Sequence, residues 1–301
     1  MGGPLTPSRR ALKTVVSDAP ALEARVRRVA GYVIRGGQEG YDRLLVLAKV
    51  HRAGTLALFD RAGIGPGMRC LDVGCGGGEV TFDIATIVGQ TGSVVGLDMD
   101  EVKLALACDV AKQRHLSQVE FQREDVMTWT QPEAFDLVYA RALLQHVGDP
   151  VDMLSRMWAG VRPGGVLIAE DTDFERAFCE PPNAGFDFFI RNYIALLTAR
   201  GGDANVGRRL FGYIRGLGVS DVNLSATLLP FSFGEEKALL LSTLEFSSTA
   251  MVAEGLAGDT EVDAAYESLS RHVNDPDTVH AGPALIQVWA RKPASSQPVN
   301  E

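Results

Sequence analysis

The pattern of apolar and polar positions changes twice along the chain. Residues 21–62 repeat apolar side chains at helical spacing: Leu44, Leu47, Leu56 and Phe59 recur, and Gly63 is a fitting stop. From residue 68 the texture becomes short apolar runs separated by helical stretches. "MRCLDVG", "GSVVGLDMD", "QVEFQRED", "FDLVYAR" and "GGVLIAED" read as strands. "EVTFDIATIVG", "EVKLALACDVAKQRHL" and "DPVDMLSRMWAGV" read as the helices between them. This alternation predicts βαβ units and a parallel sheet, and the near-continuous apolar strands predict cover on both faces. After residue 171 the alternation breaks for an insertion that contains the helical "FDFFIRNYIALLTAR". It resumes with the helix "NVGRRLFGYIRGLG" and the strand "VNLSATLLPFSF". A mostly helical stretch, 234–272, follows, and "PALIQVWARKP" is the last strand.

These boundaries divide the chain into a flexible N-terminus (1–18), a helical cap (19–62) and a core (63–171). A helical lid insertion follows (172–204), then the remainder of the core (205–292, with its own insertion at 234–272) and a loose tail (293–301). At 301 residues and 46% hydrophobic, the chain can bury a large core. A net charge of -9 argues against a broad nucleic-acid or anionic-membrane surface. Cys70, Cys75, Cys108 and Cys179 form no CxxC pair and read as reduced thiols of a cytoplasmic protein. The N-terminus lacks the apolar run of a signal peptide, and no window suits a membrane span.

Candidate chemistry concentrates at the strand ends. "LDVGCGGGEV" sets Asp72, Gly74, Cys75, Gly76 and Gly78 at a strand-to-helix turn, where glycines permit positive φ and a close backbone approach. A dinucleotide fingerprint needs a third glycine, but Glu79 or Thr81 stands there in the two registers, and no G-K-[ST] of a P-loop follows. Asp98 ends the second strand, where a carboxylate can accept both hydroxyls of a ribose. Asp125 ends the third, within reach of an adenine amino group. Two such acids without phosphate-binding glycines describe an adenosine compound that lacks phosphates.

With these motifs in this order, the chain resembles a class I S-adenosylmethionine-dependent methyltransferase of the small-molecule, natural-product subgroup. The matching segments are "LDVGCGGGEVTFDIA", "VVGLDMD", "FQREDV", "FDLVYARALLQHVGDP" and "VRPGGVLIAED", over 68–171, extending to about 230. The resemblance implies an α/β, Rossmann-like seven-stranded sheet. The sheet would be mostly parallel with an antiparallel last strand and helices on both faces. It implies S-adenosylmethionine as the cofactor and no metal; the histidines His51, His115, His272 and His280 show no metal-ligand spacing either. Gly74, Gly76 and Gly78 would lie along the cofactor, Asp72 would orient its ammonium, and Asp98 would hold the ribose with Met99 against the adenine. Asp125 and the Val126 backbone would meet the adenine edge, and Arg141 would line the methionine end. In the cap, Tyr32 and Arg43 match residues that close over the cofactor, while Leu47 replaces the subgroup's glutamine.

For the acceptor the residues offer alternatives. Phe174, Phe178, Phe186, Phe188, Phe189 and Tyr193 crowd twenty positions of a chain that is only 7% aromatic, where even spacing would give about 1.5. They either pack their own subdomain or line a lid pocket for an apolar, aromatic acceptor, with Tyr32 closing it. His146 is a structural histidine or a general base. Glu170, Asp171 and Asp173 are solvated loop acids, or one of them takes a proton or binds a substrate amine. The expected reaction is methyl transfer to an O, N or nucleophilic C of a small molecule, such as an indole or polyketide. Nucleic acid and membrane are not expected as partners, and a homodimer is allowed but not demanded. A protein methyltransferase and a non-catalytic cofactor-binding regulator are the competing readings.

Overall fold

The computed structural model describes residues 37–294, so Tyr32, the N-terminal stretch and all but the start of the C-terminal tail lie outside the described residues. A long helix, α1 (Gly37–Ala62), leads into β1 (Arg69–Val73) and α2 (Glu79–Val88). The chain continues through β2 (Ser93–Asp98), α3 (Glu101–Gln113), β3 (Val119–Arg123), β4 (Phe135–Arg141), α4 (Pro150–Gly160) and β5 (Val161–Asp173). Then come β6 (Phe178–Glu180), α5 (Ala184–Ala199), α6 (Leu210–Gly216), β7 (Val222–Thr227) and β8 (Pro230–Phe231). The last elements are α7 (Leu239–Ala253), α8 (Asp259–Asn274), β9 (Val279–Ala281) and β10 (Ala284–Arg291).

Local chemistry explains the starts. Asp100 opens α3 by accepting from the Val102 and Lys103 amides, and Asp149 opens α4, with Pro150 in its first turn, by accepting from Asp152. Asn183 opens α5 by accepting from the Phe186 amide. The main sheet runs β3-β2-β1-β4-β5-β10-β7, parallel except for β10, which is antiparallel to both neighbours. The strand order reverses beside β1, so the crevice at the carboxyl ends of β1 and β4 is where a ligand of such a sheet binds. One face is covered by α4 and α6, with Met153, Met157, Leu210 and Ile214 buried on it. The other is covered by α1 and α2, through Leu58, Phe59, Val80 and Ile84.

The sheet, its helices and the helical stretches after β5 match the sequence reading; how that last region packs differs from it. A second core forms there from α5, α7 and α8, separate from both sheet faces. A three-stranded sheet, β6-β9-β8, accompanies it. Its strands of two or three residues are too short to show a period, so "VNLSATLLPFSF", read as one strand, is split between the two sheets. Gly185 lets α5 approach α8. A Cβ at this position would stand against the Ala265 carbonyl oxygen and 2.7 Å from the Leu269 nitrogen. Gly185→Ala must push two helix backbones apart, and we expect it to cost about 2 kcal/mol in urea unfolding.

Candidate functional site

Four strand ends bring most of the predicted residues to one edge. Asp72 lies near the end of β1, Asp98 closes β2, Asp125 follows β3 and Arg141 closes β4. Between β1 and α2, Gly74, Gly76 and Gly78 have φ of 70°, 54° and 83°. Two of these glycines are also required by the protein's own packing. A Cβ at Gly74 would meet Leu143 Cδ2 at 2.6 Å, and one at Gly78 would meet Phe121 Cζ at 2.8 Å. Leu44 of the cap helix stands 3.5 Å from the Cβ position of Gly76, so α1 rests on the loop. The Cys75 amide donates to the Leu97 carbonyl, tying the loop to β2, and burial pushes its thiol well above the ordinary range. A thiol kept neutral in this way is a packing group.

Asp98 is held on both oxygens. Gly76 N–H donates to Oδ2 at 2.8 Å and Asp100 N–H to Oδ1 at 2.9 Å. Each oxygen retains a lone pair, and Met99, next to it, is exposed. Asp125 accepts from the Met127 amide at 2.9 Å, which shapes the turn that carries the half-buried Val126. Asp72 is fully enclosed. It accepts from the Thr81 hydroxyl at 2.6 Å, and burial raises its pKa to about 6 against the opposing pull of Thr81 and Arg141. It therefore secures the start of α2 while still facing the Arg141 charge.

The acids and aromatics after β5 are placed otherwise than a catalytic or pocket role requires. Glu170 is completely buried against the cap helix and has both oxygens occupied. Tyr139 donates to Oε1 at 2.6 Å, and Gln287, which also reaches the Gly54 carbonyl of α1, donates to Oε2 at 2.7 Å. Asp171 is buried with the opposite assignment: its carboxylate accepts from the Thr172 and Gln145 amides and fixes the turn after β4. Burial raises its pKa to about 7. Asp173 is ion-paired with Arg208 and Arg176. None of the three is a solvated loop acid. Phe174, Phe186, Phe189 and Tyr193 are buried in the second core, and Phe174 stacks on Tyr193 with centroids 4.8 Å apart. Their rings pack on one another in this core, which is the packing alternative of the two that the sequence left open. Phe178 is on β6, 41% exposed, outside the core its neighbours build.

The cap supplies what the insertion does not. Arg43 is 9% exposed, donates from Nη1 to Thr243 Oγ1 of α7 at 3.3 Å, and keeps a buried Nε with no hydrogen-bond partner among the described residues. Two turns on, His51 keeps a buried Nδ1 without a partner, and burial and Arg141 lower its pKa to about 3. One turn further, Thr55 accepts from Arg141 Nη1 at 3.2 Å. His146, in the turn after β4, is also lowered to about 3, by burial and then by Arg43 and Lys103. His51 and Thr55 were missed in the sequence, although Arg43, Leu47, His51 and Thr55 recur every four residues and so form one helix stripe.

The two imidazoles predict an acid response. Unfolded histidines take protons near 6.5, which folded His51 and His146 refuse until about 3. The stability they permit is full above 6.5 and is lost as pH falls toward 3. Asp72 and Asp171 act in the opposite direction, so a variant comparison isolates the effect. His51→Gln should lose less stability than the unmodified chain between pH 7 and pH 5 in urea unfolding.

S-adenosylmethionine fits this edge chemically: Asp98 has lone pairs that would accept the ribose hydroxyls, and the buried Nε of Arg43 would donate to a carboxylate. Among the described residues no cluster suits a metal ion, and no helix is long and apolar enough to cross a membrane.

Comparison with known proteins agrees. Residues 64–187 match the family model described as a methyltransferase domain. Trans-aconitate 2-methyltransferase of Variovorax paradoxus is 38% identical over 117 residues, 38% of this chain and 43% of that protein. Demethylmenaquinone methyltransferase of Oceanobacillus iheyensis is 31% identical over 135 residues, 44% of this chain and 57% of that protein. The chain thus spans about half the length of these curated relatives. Among solved structures, Bacillus subtilis YcgJ superposes with a TM-score of 0.55 at 14% identity, over 81% of this chain and 100% of that one. The Haemonchus contortus phosphoethanolamine N-methyltransferase 2, solved with S-adenosylhomocysteine, gives 0.51 at 18% identity, over 87% of this chain and 54% of that one. These structures share the fold. Residues 64–187 of the chain are therefore similar to a methyltransferase domain.

Proposed function

We propose that the protein moves a methyl group from S-adenosylmethionine to a nucleophilic O, N or C of a small molecule, by in-line displacement at the sulfonium carbon. The observation that carries this reading is Asp98, anchored on both oxygens beside a glycine loop that has no phosphate-binding element. The sulfonium is already an activated leaving group. The protein's task is then to align donor and acceptor and to exclude water, which the cap helix resting on the loop serves.

The proton chemistry narrows the acceptor. With pKa values of about 3, His51 and His146 are weak bases at neutral pH. The buried acids Glu170 and Asp171 are engaged elsewhere. This favours an acceptor that arrives ready to attack, such as a carboxylate, a phenolate or a neutral amine. Relatives named for trans-aconitate and demethylmenaquinone support a small-molecule acceptor. An aromatic acceptor loses the support of the insertion, whose rings are core.

The test is calorimetry with S-adenosylhomocysteine, followed by labelled methyl transfer to a small-molecule extract. Binding in the micromolar range with labelled product is expected. Absence of S-adenosylhomocysteine binding would overturn the reading.

A further inference from the structure

The cleft between α1 and α2 is lined by three cations, Lys49, Arg52 and Arg141. Lys49 is neutralised by Glu236 at 2.7 Å and Arg52 by Asp83 at 2.9 Å. Arg141 has no ion-pair partner among the described residues; its hydrogen bond goes to the uncharged Thr55. The carboxylates near it are committed: Asp72 accepts from Thr81, and Glu170, its register neighbour on β5, is saturated by Tyr139 and Gln287. One turn of α1 from Thr55, the buried Nδ1 of His51 has no partner among the described residues, and Arg141 is the charge that acts on it. A guanidinium without an ion-pair partner among the described residues thus stands beside an imidazole whose buried Nδ1 has no hydrogen bond there, and a buried polar atom left so is costly.

We propose that His51 and Arg141 form a subsite for a carboxylate of the acceptor, with Arg141 supplying the charge and the imidazole a directed hydrogen bond. The inference rests on the methyl-transfer reading for the identity of the molecules present. S-adenosylmethionine carries one carboxylate, and Arg43 is a second guanidinium without an ion-pair partner among the described residues. Two cations therefore stand ready for one donor carboxylate, and the second suits an acceptor that is itself an organic acid. His51 is thus a specificity-determining residue. A carboxylate acceptor also needs no base, in keeping with the weakly basic histidines.

Imidazole-labelled protein tests this by NMR, with the His51 signal assigned by its loss in His51→Gln. The donor arm compares S-adenosylhomocysteine with methylthioadenosine, which lacks the amino-acid part. The acceptor arm adds citrate, phenylacetate or uncharged phenylacetamide to the S-adenosylhomocysteine complex. A His51 shift with S-adenosylhomocysteine but not methylthioadenosine, and none on adding the acids, places the donor's amino-acid part there and overturns the acceptor subsite. A shift with either acid but not with the amide assigns it to the acceptor. His51→Gln and Arg141→Gln should each weaken binding of the acids about tenfold, the loss of one charge-assisted hydrogen bond. A His51 signal unmoved by both acids overturns the subsite, as does an equal response to amide and acid. If S-adenosylhomocysteine fails to bind at all, the methyl-transfer reading falls instead, and the acids added to the protein alone still test the subsite.

Discussion

Asp98→Ala should weaken S-adenosylhomocysteine binding by about a hundredfold or more. In the proposed function the carboxylate accepts two ribose hydroxyls, and a hydrogen bond to a charged group contributes about 1.5–3 kcal/mol. The same substitution strips the Gly76 and Asp100 amides of their acceptor, so the glycine loop keeps only the Cys75–Leu97 backbone bond to the end of β2. Asp98→Asn keeps one acceptor oxygen and should fall between the two. Calorimetry measures the affinities, and thermal unfolding verifies that the variants remain folded. An alanine variant that binds as tightly as the unmodified chain would remove Asp98 from the site.

Glu170→Leu should separate structure from catalysis. Its carboxylate holds the Tyr139 hydroxyl and the Gln287 amide inside the packed layer between sheet and cap. Removing it leaves a buried phenol and a buried amide unpaired, at about 1–3 kcal/mol each. We expect about 3 kcal/mol less stability in urea, with S-adenosylhomocysteine affinity little changed. A variant of normal stability that had lost methyl transfer would restore Glu170 to the chemistry.

The second core shows why residue type and position alone misdirect. Six aromatics placed just after β5 suit a pocket as well as a core, because both need buried apolar surface. The partners decide between them: α7 and α8, supplied by residues beyond 238, close over the rings. Likewise Asp173 has the same local context as a loop acid, and its role is set by Arg208, 35 residues later in the chain.

The sequence by itself determined the parallel sheet, the glycine turn and the three acids at the ends of β1, β2 and β3. These depend on local periodicity, on glycine's access to positive φ, and on which residue ends each strand, all of which a short window contains. Only the tertiary structure decided which polar groups are spent on the fold and which remain for a ligand. Glu170 is consumed by Gln287, 117 residues away, while Arg141 meets the uncharged Thr55, 86 residues back on the cap helix. Electrostatic compensation depends on distance in space, so a chain of residue types cannot reveal which charge has been left without a partner.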